Sequence, residues 1–144
     1  MALVKDVMKK DVKVAETGTT VLEAVKRMQK FGIGGLVIVK GSEAVGIVTD
    51  HDVLFKIVAK EKDSKKVKVE EIMSSPLVTV SPDSELSEAS QLMTENKVKK
   101  LVVLDSKKTL IGIITATDLL AHGPEFLDVL VNLNLPGGKP TFSA

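Results

Sequence analysis

Cysteine, tryptophan and tyrosine are all absent from the 144 residues. Without cysteine there are no disulfides, thiolate metal centres or cysteine nucleophiles, which suits a reducing compartment. Only four phenylalanines stand among 44% hydrophobic residues, so the core must be aliphatic. No run approaches the roughly 20 apolar residues that span a bilayer. The opening MALVKDVMKKDV is broken by charge at Lys5 and Asp6 and has no apolar stretch of leader length. Neither basic nor acidic residues dominate. With 20 basic and 19 acidic residues the net charge is +1, so nothing in bulk draws the chain to nucleic acid or anionic lipid. These absences lead to the expectation of a cytoplasmic protein without a membrane partner.

What is present is a duplication. Met8 and Met73 are separated by 65 positions, as are Met28 and Met93. Between these anchors MKKDVKVAETGTTVLEAVKRM lies ungapped on MSSPLVTVSPDSELSEASQLM, and GLVIV then meets KLVVL. One extra residue moves the offset to 66. GIVTDHDV at Gly46–Val53 then falls on GIITATDL at Gly112–Leu119, pairing Thr49 with Thr115 and Asp52 with Asp118.

Each copy reads in the same order. A short helix (4–8, 69–73) precedes a short strand (12–14, 77–80). A helix follows near 20–30 or 85–95, with Val21, Val25 and Met28, or Leu86, Ala89 and Met93, at helical spacing. Thr19 and Ser84 occupy the aligned N-cap position and Gly32 is a stop signal. Two strands come next, turning at 41–43 or 106–109. The run GLVIV has no polar alternation and is expected to be covered on both faces. A closing helix begins near Asp50 or Ala116.

The expected layout is motif one at 4–60, a charged linker at 61–68, motif two at 69–123, a docking helix at 124–134 and a disordered tail at 135–144. The docking helix, EFLDVLVNL, is too apolar to stand free; its own protomer and a dimer interface are equally open as its resting place. A unit of about sixty residues buries too little alone, so the copies are expected to pack together.

The order β-α-β-β-α, closed twice by G-h-x-T-x-x-D, resembles a tandem pair of CBS domains, a Bateman module, over residues 4 to about 122. The resemblance implies an α/β (α+β) fold of two pseudo-symmetric motifs packed through their sheets. It further implies clefts for adenosine-containing ligands (AMP, ADP, ATP or S-adenosylmethionine), association into a disc-like homodimer, and a protein target that reads occupancy.

A ribose diol can donate both hydroxyls to one carboxylate, with a threonine hydroxyl beside it. This makes Thr49, Asp52, Thr115 and Asp118 the candidate ribose contacts. T-x-x-D is equally the pattern of a helix capping box, although Asp fits that role less well than Glu or Gln. By resemblance the adenine slot is walled by Val14, Ile33 and Leu36, and by Val80, Val98 and Leu101; residues of this kind also line cores. Lys99 and Lys100 replace Gly34 and Gly35 in the second copy and are the candidate phosphate contacts together with His51. Plain solvated lysines are the alternative.

Catalysis has little to work with. GxSxG, P-loop and HExxH patterns are missing, and the two histidines are not at equivalent positions, so neither catalytic nor metal-binding residues are expected. Nucleic-acid binding is disfavoured because acidic residues interleave with the basic clusters and no aromatic platform accompanies them. The readings that remain are a ligand-responsive regulatory module and a ligand-free scaffold.

Overall fold

In chain order the computed structural model has α1 (Val4–Val7), β1 (Val14–Glu16), α2 (Val21–Phe31), β2 (Gly35–Lys40), β3 (Glu43–Thr49) and α3 (Asp50–Val53), which continues through a π-helical turn, Leu54–Val58. A 3-10 turn at Val69–Glu71 leads to β4 (Thr79–Val80), α4 (Leu86–Asn96), β5 (Lys100–Leu104), β6 (Leu110–Thr115) and α5 (Ala116–His122), followed by a 3-10 turn at Pro124–Phe126. The structure describes residues 2–127, 129 and 131. Among the described residues no helix is long and apolar enough to cross a membrane.

The architecture is mixed α+β with two three-stranded sheets, ordered β1-β2-β3 and β4-β5-β6. In each, the first strand runs parallel to the second across a helical crossover, and the third returns antiparallel. Pairing with β2 sets Val14, Ala15 and Glu16 opposite Val37, Ile38 and Val39, so the first strand lies two residues later than the expected 12–14. In the second copy only Thr79 and Val80 form the strand. A register shift between Ile38 and Val39, and its counterpart between Val103 and Leu104, leaves Val45 and Ile111 as the bulged residues just before Gly46 and Gly112. The central strands are covered on both faces, as their unbroken apolar runs require: Leu36, Val37 and Ile38, and likewise Leu101, Val102 and Val103, are buried.

The chain divides into two compact units that do not coincide with the sequence repeats. One unit is Val12–Leu77. The other joins the N-terminal segment, up to Asp11, to the chain from Val78 onward. The segment leading each repeat is therefore built into the unit that holds the other repeat's sheet. Val4 N–H donates to the Ser84 carbonyl at 2.8 Å, and Val69 N–H donates to the Thr19 carbonyl at 2.9 Å. Leu3 bridges Glu85 while Lys68 bridges Thr20.

This pairing moves the helix starts. The Thr19 and Ser84 carbonyls are taken by the leading segments, and the extended residue after each is the N-cap: Thr20 caps α2 by accepting the Glu23 N–H at 3.1 Å, and Glu85 stands at the α4 N-cap without a side-chain bond. Gly32 ends α2 at φ 62°, as expected, and Lys97 takes the same left-handed conformation at φ 55°.

Each unit has its own aliphatic core. Val21, Ala24, Met28, Leu36, Ile38, Val48, Ile57, Val69 and Ile72 belong to the first. The second contains Val4, Leu86, Ala89, Met93, Leu101, Val103, Ile114 and Leu119. The π-helical turn points Ile57 inward and leaves Leu54, Phe55 and Val58 exposed. Residues 61–68 carry the expected surface charge yet are pinned: Ser64 and Val67 carbonyls accept the Leu22 and Val21 N–H groups at the start of α2. Val129 is buried in the second unit's core with Phe126 packed against it, so this part of the C-terminal segment docks on its own chain. Leu130, Leu133 and the tail at 135–144 lie outside the described residues.

Candidate functional site

The repeated T-x-x-D corner stands where a strand hands over to a helix. Thr49 ends β3 with extended dihedrals and caps α3; Thr115 does the same for α5. In the first unit Thr49 Oγ1 accepts the Asp52 N–H at 3.3 Å, while Asp52 Oδ2 accepts the Thr49 N–H at 2.9 Å and the Thr49 hydroxyl at 3.2 Å. In the second, Asp118 N–H donates to Thr115 Oγ1 at 3.1 Å and Thr115 N–H to Asp118 Oδ2 at 2.9 Å. Both corners are complete capping boxes, with the shorter aspartate in the place usually taken by glutamate.

Capping occupies one oxygen of each carboxylate. The other faces a lysine. Asp52 Oδ1 lies 3.0 Å from Lys56 Nζ, which also donates to the Ile72 carbonyl at 2.8 Å. Asp118 Oδ1 lies 3.5 Å from Lys9 Nζ. The carboxylates are only 10% and 13% exposed, against 45% and 65% for their lysines. Each corner is thus a shielded anion covered by a solvent-exposed cation, and an ionised carboxylate has lone pairs beyond those used in capping. Neither lysine figured among the expected site residues. Lys56 was detectable as the i+4 neighbour of Asp52, whereas nothing local points from Lys9 to Asp118.

The segment before each central strand reaches the same corner. Gly34 carbonyl accepts the Asp50 N–H at 2.9 Å and Lys99 carbonyl accepts the Ala116 N–H at 2.8 Å. In the strand registers Gly35 stands opposite Thr49, and Lys100 opposite Thr115. The structure therefore sets Gly34 and Gly35 beside Thr49 and Asp50 in one unit, and Lys99 and Lys100 beside Thr115 and Ala116 in the other. Lys99 is exposed and Lys100 half-buried. His51 is exposed and packs against Phe55, ring centroids 4.8 Å apart.

The residues expected to wall an adenine slot divide into two groups. Leu36, Val80 and Leu101 are core residues, 1%, 6% and 0% exposed. Val14, Ile33 and Val98 are half-buried. Ile33 borders an open groove of about 490 Å³ between α2 and α3, with Val25, Gly34, Asp50, Val53 and Leu54. Val14 borders a more polar recess of about 350 Å³ with Glu16, Thr19, Glu23 and Arg27. Neither space is lined by Thr49 or Asp52. Among the described residues no group of three His, Asp or Glu side chains converges to hold a metal.

Gly46 and Gly112 serve close packing by the leading segments. A Cβ on Gly46 would stand 2.5 Å from Met73 Sδ and 3.0 Å from the Ser74 carbonyl; on Gly112 it would stand 2.5 Å from Met8 Sδ and 3.1 Å from the Lys9 carbonyl.

Two β-α-β-β-α motifs, each closed by a capped carboxylate corner, define a tandem motif pair. The chain belongs to the CBS domain family, whose profile matches residues 4–59 and 69–125. It is 36% identical over 122 residues to an uncharacterised protein of Methanopyrus kandleri, covering 84% of this chain and 62% of that one. The chain thus spans less than two thirds of that relative. Among solved structures it resembles the CBS domain pair of protein MJ0100 in complex with 5′-methylthioadenosine and S-adenosyl-L-methionine (TM-score 0.77, 28% identity, 85% of this chain and 95% of that one). It also resembles CBSX2 in complex with AMP (TM-score 0.72, 25% identity, 88% and 99%).

Proposed function

We propose that this chain is a non-catalytic regulatory module that binds an adenosine-containing ligand and relays its occupancy to a protein target. The observation that carries this reading is the pair of equivalent carboxylates, 10% and 13% exposed, whose outward oxygen faces a lysine side chain. A ribose diol offers two donors that can replace one ammonium there, and the threonine hydroxyl is adjacent. Ile33 and Val98 would flank the base, while Lys99 and Lys100 supply the second corner with charge that suits a phosphate. The two similar structures, one with 5′-methylthioadenosine and S-adenosyl-L-methionine and one with AMP, support an adenosine-containing ligand as the class to test, with ADP and ATP as further members of it. A signal follows only if the ligand binds two arrangements of the chain with different affinity.

The exposed Leu54, Phe55 and Val58 beside the apolar groove favour a homodimer built through this face. The cysteine-free composition suits the cytoplasm.

A second reading has its own support. Both corners are complete capping boxes with paired carboxylates, so neither needs a ligand for stability, as in a pure scaffold. A thermal-shift panel of AMP, ADP, ATP, S-adenosylmethionine and adenosine on the wild type, D52A and D118A separates the two. At 100 times its dissociation constant a ligand should stabilise the wild type by about 2.7 kcal/mol. A smaller ligand-induced shift in one or both variants is expected. No shift with any compound leaves the scaffold.

A further inference from the structure

We propose that Lys56 and Lys9 are latches: each ties a motif carboxylate to the leading segment packed on its own sheet, and a ligand diol releases that segment. The inference rests on the ribose reading above and names how the same corner would transmit occupancy.

The two lysines come from non-equivalent positions yet complete the same circuit. In the second unit Lys9 belongs to the leading segment itself: its backbone exchanges two hydrogen bonds with Ile113, at 2.9 and 3.0 Å, and its ammonium faces Asp118. The position aligned with Lys9 in the first unit is Ser74, which exchanges the same two backbone bonds with Ile47, at 2.8 and 3.2 Å, but cannot reach a carboxylate as a lysine does. There the cation is supplied from four residues beyond the aspartate. Lys56, on the π-helical turn, bridges Asp52 to the carbonyl of Ile72 within the leading segment.

Both segments are also where the chain passes from one unit to the other, at Asp11–Val12 and Leu77–Val78. A shift in Met8–Lys9 or Ile72–Ser74 is therefore delivered along the covalent chain. The lysines are 65% and 45% exposed, so a displaced ammonium regains water and the latch is weak enough for a neutral diol to open. Lys56 has the shorter ion pair and a second partner, which makes the Asp52 corner the more firmly held.

Adenosine and 2′-deoxyadenosine, which lacks one donor and has no phosphate to confuse the reading, are titrated calorimetrically against the wild type, K56M, K9M and the charge-preserving K56R. The methionine variants should bind adenosine roughly two- to five-fold tighter, the range of an exposed ion pair. 2′-Deoxyadenosine should gain less, and K56R should match the wild type. Hydrogen exchange of the Ile72–Ser74 amides reads the segment. Adenosine should speed it roughly two- to five-fold in the wild type, and add nothing in K56M, where it is fast without ligand. Weaker adenosine binding in both methionine variants, equal gains for the two nucleosides, or exchange indifferent to adenosine overturns the latch while leaving the site. No binding of adenosine to the wild type removes the site itself, and the release step with it.

Discussion

Met73 lies over Gly46 so closely that even a methyl group on that glycine would meet its sulfur at 2.5 Å. Met8 repeats the contact on Gly112. The methionines that mark the start of each repeat and the glycines that open each terminal motif are therefore partners, exchanged between repeats.

Alanine at Gly46 forces Met73 aside and presses on the backbone carbonyl of Ser74, which cannot swing away as a side chain does. Overpacking of this kind costs about 1–3 kcal/mol. G46A and G112A should each lower the urea midpoint accordingly. Because the thioether is flexible, G46A combined with M73A should lose less than the sum of the two single changes.

Thr49 and Thr115 each accept the N–H of their aspartate, so T49A and T115A should each cost about 1 kcal/mol, the worth of an N-cap. Serine at either position keeps the hydroxyl and should restore most of the loss. Thermal denaturation of the alanine and serine variants side by side distinguishes a lost cap from general disruption.

Lys97 ends α4 in the left-handed conformation that Gly32 adopts at the end of α2. A residue with a Cβ pays roughly 1–2 kcal/mol there, partly offset by the greater entropy glycine loses on folding, about 0.5–1 kcal/mol. K97G should therefore stabilise the protein by about 0.5–1 kcal/mol. An unchanged or lower melting temperature contradicts the backbone argument.

Lys99 and Lys100 stand at the second corner where the first has Gly34 and Gly35. If either serves a phosphate, K99A or K100A should weaken AMP several-fold more than adenosine, and the gap should close as salt is raised. Equal losses for the two ligands would assign these lysines no phosphate role.

Leu54 and Val58 are 52% and 62% exposed beside the open groove. L54E combined with V58E should convert a dimer to a monomer in light scattering while changing monomer stability by no more than about 0.5 kcal/mol per site, as usual for surface substitutions. A dimer that persists places the interface on another face.

Much of the corner was readable before any coordinates. Thr49 and Asp52 are three residues apart at a strand end, and a capping box depends only on that spacing and on side-chain reach. Val37 was predictably buried because its run, GLVIV, lacks polar alternation. The expected helix starts at Thr19 and Ser84 failed by one residue for a non-local reason: backbone from another repeat takes their carbonyls. The adenine wall was not separable from core by residue type, since an aliphatic residue reads alike whether it lines a slot or is buried as Leu36 and Leu101 are.

Duplication, the β-α-β-β-α order and the capped corners follow from interactions over a few residues, where spacing and residue type leave little choice. The pairing of Met8 with Gly112 and of Met73 with Gly46 does not. Both methionines and both glycines sit in near-identical surroundings, so either match satisfies local chemistry equally, and Gly46 is even the nearer of the two to Met8 along the chain. The folded chain brings the N-terminal segment onto the second sheet. That choice alone carries Lys9 to Asp118.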